Sequence, residues 1–343
     1  MGITHLSGLE VAGVPTMGIA GAPMFTGNWY FVDAVNGSDG NIGSADSPLA
    51  TLYRAQSLMT AGNNDVAVIV GNGSTTGTQR LSLAGATTID PTATAGTLVW
   101  AKNACHLIGM TAPTGVSNRA RIAPVTTDTQ TGFGSGTFVS VTAQGCYFAN
   151  FSVFNGFATG GNNQIAWLDS GGRNFYASID FEGAGDAASA QSTSSRSLKI
   201  SGSTGENTFV NCTIGLDTVT KTVANASLEF AGGTPRNKFI NCDFPLYTSS
   251  AATLVMIASA ASAMDRWQKF DNCAFMNAVS SGSTTATAVA TLAASVGGYI
   301  VMKNCTLVGF TGFGSDATTR ALVNIDGGPP VAATTALAVH PTA

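Results

Sequence analysis

The sequence predicts an all-β chain wound as a right-handed parallel β-helix with coils of about 30 residues, closed by a short N-terminal capping helix and preceded by an extended arm. The first observation is a repeat. Asn207-Thr208-Phe209-Val210-Asn211-Cys212-Thr213-Ile214 returns as Asn237-Lys238-Phe239-Ile240-Asn241-Cys242-Asp243-Phe244 and as Gln268-Lys269-Phe270-Asp271-Asn272-Cys273-Ala274-Phe275. A fourth copy ends in Met302-Lys303-Asn304-Cys305-Thr306-Leu307. Its asparagines, Asn211, Asn241, Asn272 and Asn304, lie 30, 31 and 32 residues apart, the period of a stacked repeat. The second observation is an alternating strand before each cassette, as in Phe138-Val139-Ser140-Val141, Leu198-Lys199-Ile200-Ser201 and Leu228-Glu229-Phe230-Ala231. The third is composition. Charged residues make only 10% and glycines number 41, which suits many tight turns and a polar, weakly charged surface.

Within a cassette, Phe209 and Cys212 are three apart, so a straight strand sends them to opposite faces. A bend at Asn211 brings both inside, because asparagine tolerates the left-handed backbone region. Copies about 4.8 Å apart then align like with like, giving ladders of Phe209, Phe239 and Phe270, of the four asparagines, and of Cys212, Cys242, Cys273 and Cys305. Three older copies are degenerate. In Arg173-Asn174-Phe175-Tyr176-Ala177-Ser178-Ile179, Phe175 takes the aromatic position. Cys146-Tyr147-Phe148-Ala149-Asn150-Phe151 keeps Phe and Asn, and Cys105-His106-Leu107-Ile108-Gly109-Met110 has glycine at the corner. Leu254-Val255-Met256-Ile257 and Val289-Ala290-Thr291-Leu292 continue the preceding strands, and Leu322-Val323-Asn324-Ile325 begins a last turn. A β-propeller shares this period but needs hairpins, and no Asn-Gly separates the paired runs.

Composition excludes several classes. A net charge of −4 with no basic run argues against nucleic acid, and no stretch is apolar enough for a membrane helix. Met1-Gly2-Ile3-Thr4-His5 has no cationic segment of the secretory kind. Four of six cysteines share one coil position, which reads as buried reduced thiols rather than disulfides, and no Cys-x-x-Cys suggests zinc.

The chain divides into an extended arm over residues 1–27, the β-helix over 28–328 and a C-terminal extension over 329–343. Leu6, Leu9, Val11, Val14 and Met17 are too apolar for a solvated tail and imply a partner surface. Tyr30-Phe31-Val32-Asp33 opens the fold, and Thr51 caps a helix reaching about Ala61 with Leu52, Ala55 and Leu58 on one face. Asp33, Asp39 and Asn41 read as a turn bonding its own backbone rather than a calcium loop.

The run Val32-Asp33 … Asn36-Gly37-Ser38-Asp39-Gly40-Asn41 … Pro48-Leu49-Ala50-Thr51 resembles the opening of pectate-lyase-like β-helix proteins. The N-terminus, Thr4-His5-Leu6-Ser7-Gly8-Leu9-Glu10-Val11-Ala12-Gly13-Val14-Pro15, is similar to those of tailed-bacteriophage head decoration and head-fibre proteins over about fifteen residues. That second resemblance implies a virion structural protein on the capsid surface, a decoration or head-spike protein. Its partner would be the major capsid protein, its assembly a homotrimer, and it would hold no cofactor. The alternative is a short tailspike that binds or cleaves a host-surface glycan.

Chemistry on such a scaffold needs clustered carboxylates. Asp180 and Glu182 share one strand face and read as solvated outer-face residues, while Asp243 and Asp271 fall out of register. Arg173, Arg236 and Arg266 precede cassettes and invite pairing with Asp180, Asp265 or a neighbouring subunit. No catalytic or metal-binding residues are assigned.

Overall fold

A computed structural model describes residues 25–332 except 82–95, 126–135, 158–161, 184–189, 279–280, 294–296, 315–320 and 325–330, together with two short strands before residue 25. The chain is a parallel β-helix of three sheets. The first sheet holds the cassettes: Trp29–Val32, Val66–Val70, His106–Met110, Tyr147–Ala149, Phe175–Ala177, Thr208–Val210, Thr234–Ile240, Met264–Asp271, Tyr299–Lys303 and Ala321–Asn324 pair in parallel, in that order. An asparagine corner leads to the second sheet, which runs from Gln79–Leu81 through Arg121–Pro124, Ser152–Asn155, Asp180–Gly183 and Thr213–Ile214 to Thr306–Val308. A longer loop leads to the third, from Leu98–Trp100 to Ala290–Leu292, and a short turn returns the chain to the first. The strand Ala321–Asn324 therefore continues the cassette sheet, not the preceding-strand sheet that its sequence suggested.

The corners behave as the alternation requires. Asn211, Asn241, Asn272 and Asn304 take φ of 53°, 52°, 54° and 53°, and all four are exposed. Each bend turns Phe and Cys inward. Phe209, Phe239 and Phe270 are fully buried and stack at ring separations of 4.7 and 4.6 Å, with planes 6° apart. Cys212, Cys242, Cys273 and Cys305 are buried and unpaired by disulfides. The Cys242, Cys273 and Cys305 thiols each donate to the carbonyl of the preceding coil's Phe209, Phe239 and Phe270, at 3.6, 3.5 and 3.7 Å.

One register differs from the reading above. Tyr176, not Phe175, pairs with Phe209 and stacks on it at 4.5 Å, while Phe175 pairs with Thr208 and is exposed. Ser178 takes the corner at φ 51° and Ile179 the thiol's place. The column one step earlier decides this register. Asn174, Asn207, Asn237 and Gln268 form a second, buried amide ladder, in which Asn207 Oδ1 accepts from Asn174 N and Asn237 Oδ1 from Asn207 N. Tyr176 also suits the inner site chemically, because its hydroxyl reaches the buried Asp169 carboxylate at 2.5 Å. Burial holds that carboxyl above the usual range, offset by bonds from Tyr176, Asn174 and Gly172.

The cap is shorter than expected. The helix Leu52–Leu58 starts at Thr51, whose side chain accepts from Arg54 N, and buries Leu52, Tyr53 and Ala55 over the open end. It stops before Ala61 because Met59 turns extended and Asp65 captures Thr60 N at 2.7 Å. Asp33 and Asp39 serve the backbone, as the turn reading expects: Asp33 Oδ1 accepts from Val35 N, and Asp39 Oδ1 from Ala50 N and Thr51 N.

Two outcomes test this core. Phe239→Ala should lower stability by about 3–5 kcal/mol in a denaturant titration, because both stacked neighbours hold a cavity open; a loss under about 1 kcal/mol removes Phe239 from the core. The ladder thiols should react with a thiol reagent only after unfolding. A hydrogen bond with Cys242 and burial push Cys273 up to about 12, and burial holds Cys242 well above the usual thiol range. Rapid labelling of the native protein would refute the assignment.

Candidate functional site

The most distinctive chemistry lies on the outer face of the second sheet. Arg121, Ser152, Asp180 and Thr213 stand in register on four successive strands, and Phe154 and Glu182 pair in the next outward column. An outer face is normally solvated, but Asp180 is 2% exposed and Glu182 0%. The expectation of solvated carboxylates is therefore overturned, and the cause is a loop.

In most coils a single left-handed residue separates the first sheet from the second. After His106–Met110 the chain instead inserts residues 111–120 before Arg121–Pro124. Gly109 does not form the corner. Its strand continues to Met110, and glycine is needed because a Cβ there would lie 1.8 Å from Asn150 O. The inserted loop folds across later coils. Ser117 N donates to Glu182 Oε1 at 2.8 Å, Asn118 N to Asp180 Oδ2 at 3.2 Å, and Thr213 Oγ1 to Gly115 O at 2.6 Å. Ser117 adopts φ 61° to aim its amide inward. Asn118 is itself fixed, donating through Nδ2 to Asn150 Oδ1.

This burial sets the electrostatics. Desolvation, then the adjacent Glu182 carboxylate, pushes Asp180 up to about 7. Burial likewise raises Glu182, with Ser117 N and the Arg121 charge opposing it. Arg121 lies 5.3 Å above the Phe154 ring. Glu182 Oε2 has no hydrogen bond among the described residues. Two adjacent carboxyls with raised proton affinity are the raw material of acid–base chemistry. Here both are closed over by backbone amides, so as described they anchor the loop and present no open face to a substrate.

The remaining residues singled out by sequence sit elsewhere. Asp271 pairs with Lys269 at 2.8 Å, and Asp243 stacks on Thr213 and Ala274, out of register with it. Arg266 meets Asp265 as anticipated, but Arg173 reaches Glu206 rather than Asp180. Leu6, Leu9 and Met17 lie outside the described residues; Val11 and Val14 are backbone partners in a short antiparallel pair, Glu10–Val11 with Val14–Pro15. Phe25 stacks on the His106 ring at 4.0 Å, so this residue of the arm segment already lies on the first sheet. Sequence reasoning missed the loop cover. Its only signal was the turn-rich Ala112-Pro113-Thr114-Gly115 between a cassette and its following strand.

The fold is that of pectate-lyase-like parallel β-helix proteins. Among solved structures, the chain is similar to pectin methylesterase PemA from Erwinia chrysanthemi at 14% identity, covering 92% of this chain and 94% of that one with a TM-score of 0.56. It is similar to a rhamnogalacturonan lyase at 15% identity, covering 82% and 68% with a TM-score of 0.52. It is also similar to a pectin methylesterase solved with a hexasaccharide, at 14% identity, 84% and 81% coverage and a TM-score of 0.51. Identity at this level carries the architecture alone. Neither a scan of protein-family models nor a search of curated proteins finds a match.

The raised carboxyls make a pH prediction. Between the ordinary carboxylate range and about 7, the native state holds protons that the unfolded chain has released, so stability falls as pH rises through that window. Wild-type protein should show a lower urea midpoint at pH 7.5 than at pH 5, and Asp180→Asn should shrink the difference. An equal difference in both proteins would mean that Asp180 titrates normally.

Proposed function

We propose that this chain is a structural component of a tailed-bacteriophage virion, a capsid decoration or head-spike protein. It acts as a homotrimer held on the major capsid protein by its N-terminal arm. The observation that carries this reading is the sealed carboxylate pair. The two acids best placed for chemistry are spent on fixing a loop, and the described residues form a rigid rod built from aromatic and thiol ladders. The arm supplies the attachment. Leaving Leu6, Leu9, Val11 and Val14 in water forfeits roughly 1.5–3 kcal/mol per side chain that burial would give. Repetition around a three-fold axis turns a weak contact into a firm one.

Deleting residues 1–24 tests this while keeping Phe25 on His106. The truncated protein should retain its β-sheet circular dichroism and its unfolding midpoint, because the cap and every cassette lie downstream. It should fail to co-sediment with phage heads lacking this protein. Decoration at the full-length level would exclude the arm as the anchor.

A further inference from the structure

A rigid spike does not require the charge that gathers along the first sheet. In the turn entering that sheet, successive coils place Ala104, Gly145, Arg173, Glu206, Arg236 and Arg266 at one left-handed position, with φ of 50°, 68°, 57°, 60°, 51° and 60°. Left-handed backbone favours glycine, and Gly145 shows that glycine fits. Four charged side chains occupy it instead, at a conformational cost. On the sheet itself Lys238 and Lys269 pair directly across neighbouring strands, a like-charge contact that opposes stability. Trp267 pairs with Tyr299 alongside them, Lys238 Nζ lies 6.0 Å from the Trp267 ring, and Tyr299 is 44% exposed.

Acidic neighbours offset only part of this charge. Arg173 and Arg236 share the one Glu206 carboxylate, Arg266 meets Asp265, and Lys269 meets Asp271. Lys303 is exposed at the end of its strand. The strip thus holds six cations against three acids, in a chain whose total is −4. Strain and like-charge contact retained at one place point from the outlier to a function.

We infer that this strip binds an acidic polysaccharide. Its carboxylates lie against Arg236, Lys238, Lys269 and Lys303, and its sugar rings against Trp267 and Tyr299. Cations repeated from coil to coil, about 4.8 Å apart, suit a polymer that repeats its own charge. Duplex DNA carries one charge per roughly 1.7 Å and calls for a denser, less neutralised groove. The strip shares no residue with the arm, so failure of the glycan test leaves the virion reading standing and the reverse is equally true.

The test is retardation of the full-length protein in native gels cast with alginate, a polyuronate, beside gels with neutral dextran and with oligothymidylate. Alginate should retard the wild type in a salt-sensitive way, and K238Q/K269Q should weaken binding by about tenfold. W267A should weaken it with a smaller change in salt dependence, and K238R/K269R should restore it. R119Q, on the loop over the second sheet, should bind as wild type. Lys238 is exposed and Lys269 partly so, and the unfolding midpoint should not fall in either double variant. Absence of retardation by alginate, equal retardation by dextran, tighter binding of oligothymidylate, or wild-type binding by K238Q/K269Q would each overturn the inference.

Discussion

Everything in this molecule depends on repeating one cross-section at the spacing of hydrogen-bonded strands. Each coil must offer the same shape at the same angular position as its neighbours, or the ladders on both sides lose partners. The left-handed corner enforces this. At Asn211, Asn241, Asn272 and Asn304 it turns the chain by the same amount in every coil, and it delivers an aromatic ring and a thiol to the same two interior sites. Stacking then becomes automatic, with parallel rings about one strand spacing apart. The exposed asparagine shapes the coil while the buried phenylalanine gains the energy.

A second constraint acts on polar groups. A solenoid interior is dry, so polar residues inside must form closed sets. Asn174, Asn207, Asn237 and Gln268 approach this along the axis, linking coil to coil, although Asn207 Nδ2 has no hydrogen bond among the described residues. Asp169, Asn174 and Tyr176 do it within one coil. The carboxylates near the cap and under the inserted loop take backbone amides as partners, with Glu182 bonded through Oε1 alone. Acidic side chains here largely replace regular backbone pairing where the chain leaves the ladder.

Much of the architecture was legible because it repeats. The Phe-x-Asn-Cys cassettes announce period, corner and interior in four copies. The error at Tyr176 shows where that reading stops. Phe175 and Tyr176 are both aromatic, and the register is set by Asn174, whose burial leaves no mark in a single copy. Recurrence of Arg173-Asn174, Glu206-Asn207 and Arg236-Asn237 was the available clue. The fate of Asp180 and Glu182 was illegible for another reason. Strand alternation correctly put them outside, but their cover comes from Ser117 and Asn118, more than 60 residues earlier, and no local pattern encodes an object lying on top of a sheet.

That covering loop changes how the rod holds together. Coils in a solenoid ordinarily touch only adjacent coils, so an end can fray without disturbing the middle. The bond from Thr213 to Gly115 joins positions 98 apart in sequence and skips over the intervening coils. Like a staple through several pages, it ties the coils from Arg121–Pro124 to Thr213–Ile214 into one unit, so they open to solvent together or not at all. The Phe and Cys ladders start in the last stapled coil with Phe209 and Cys212 and run on beyond the staple from Phe239 and Cys242. The rod is thus a clamped block continued by a stack that can peel one coil at a time.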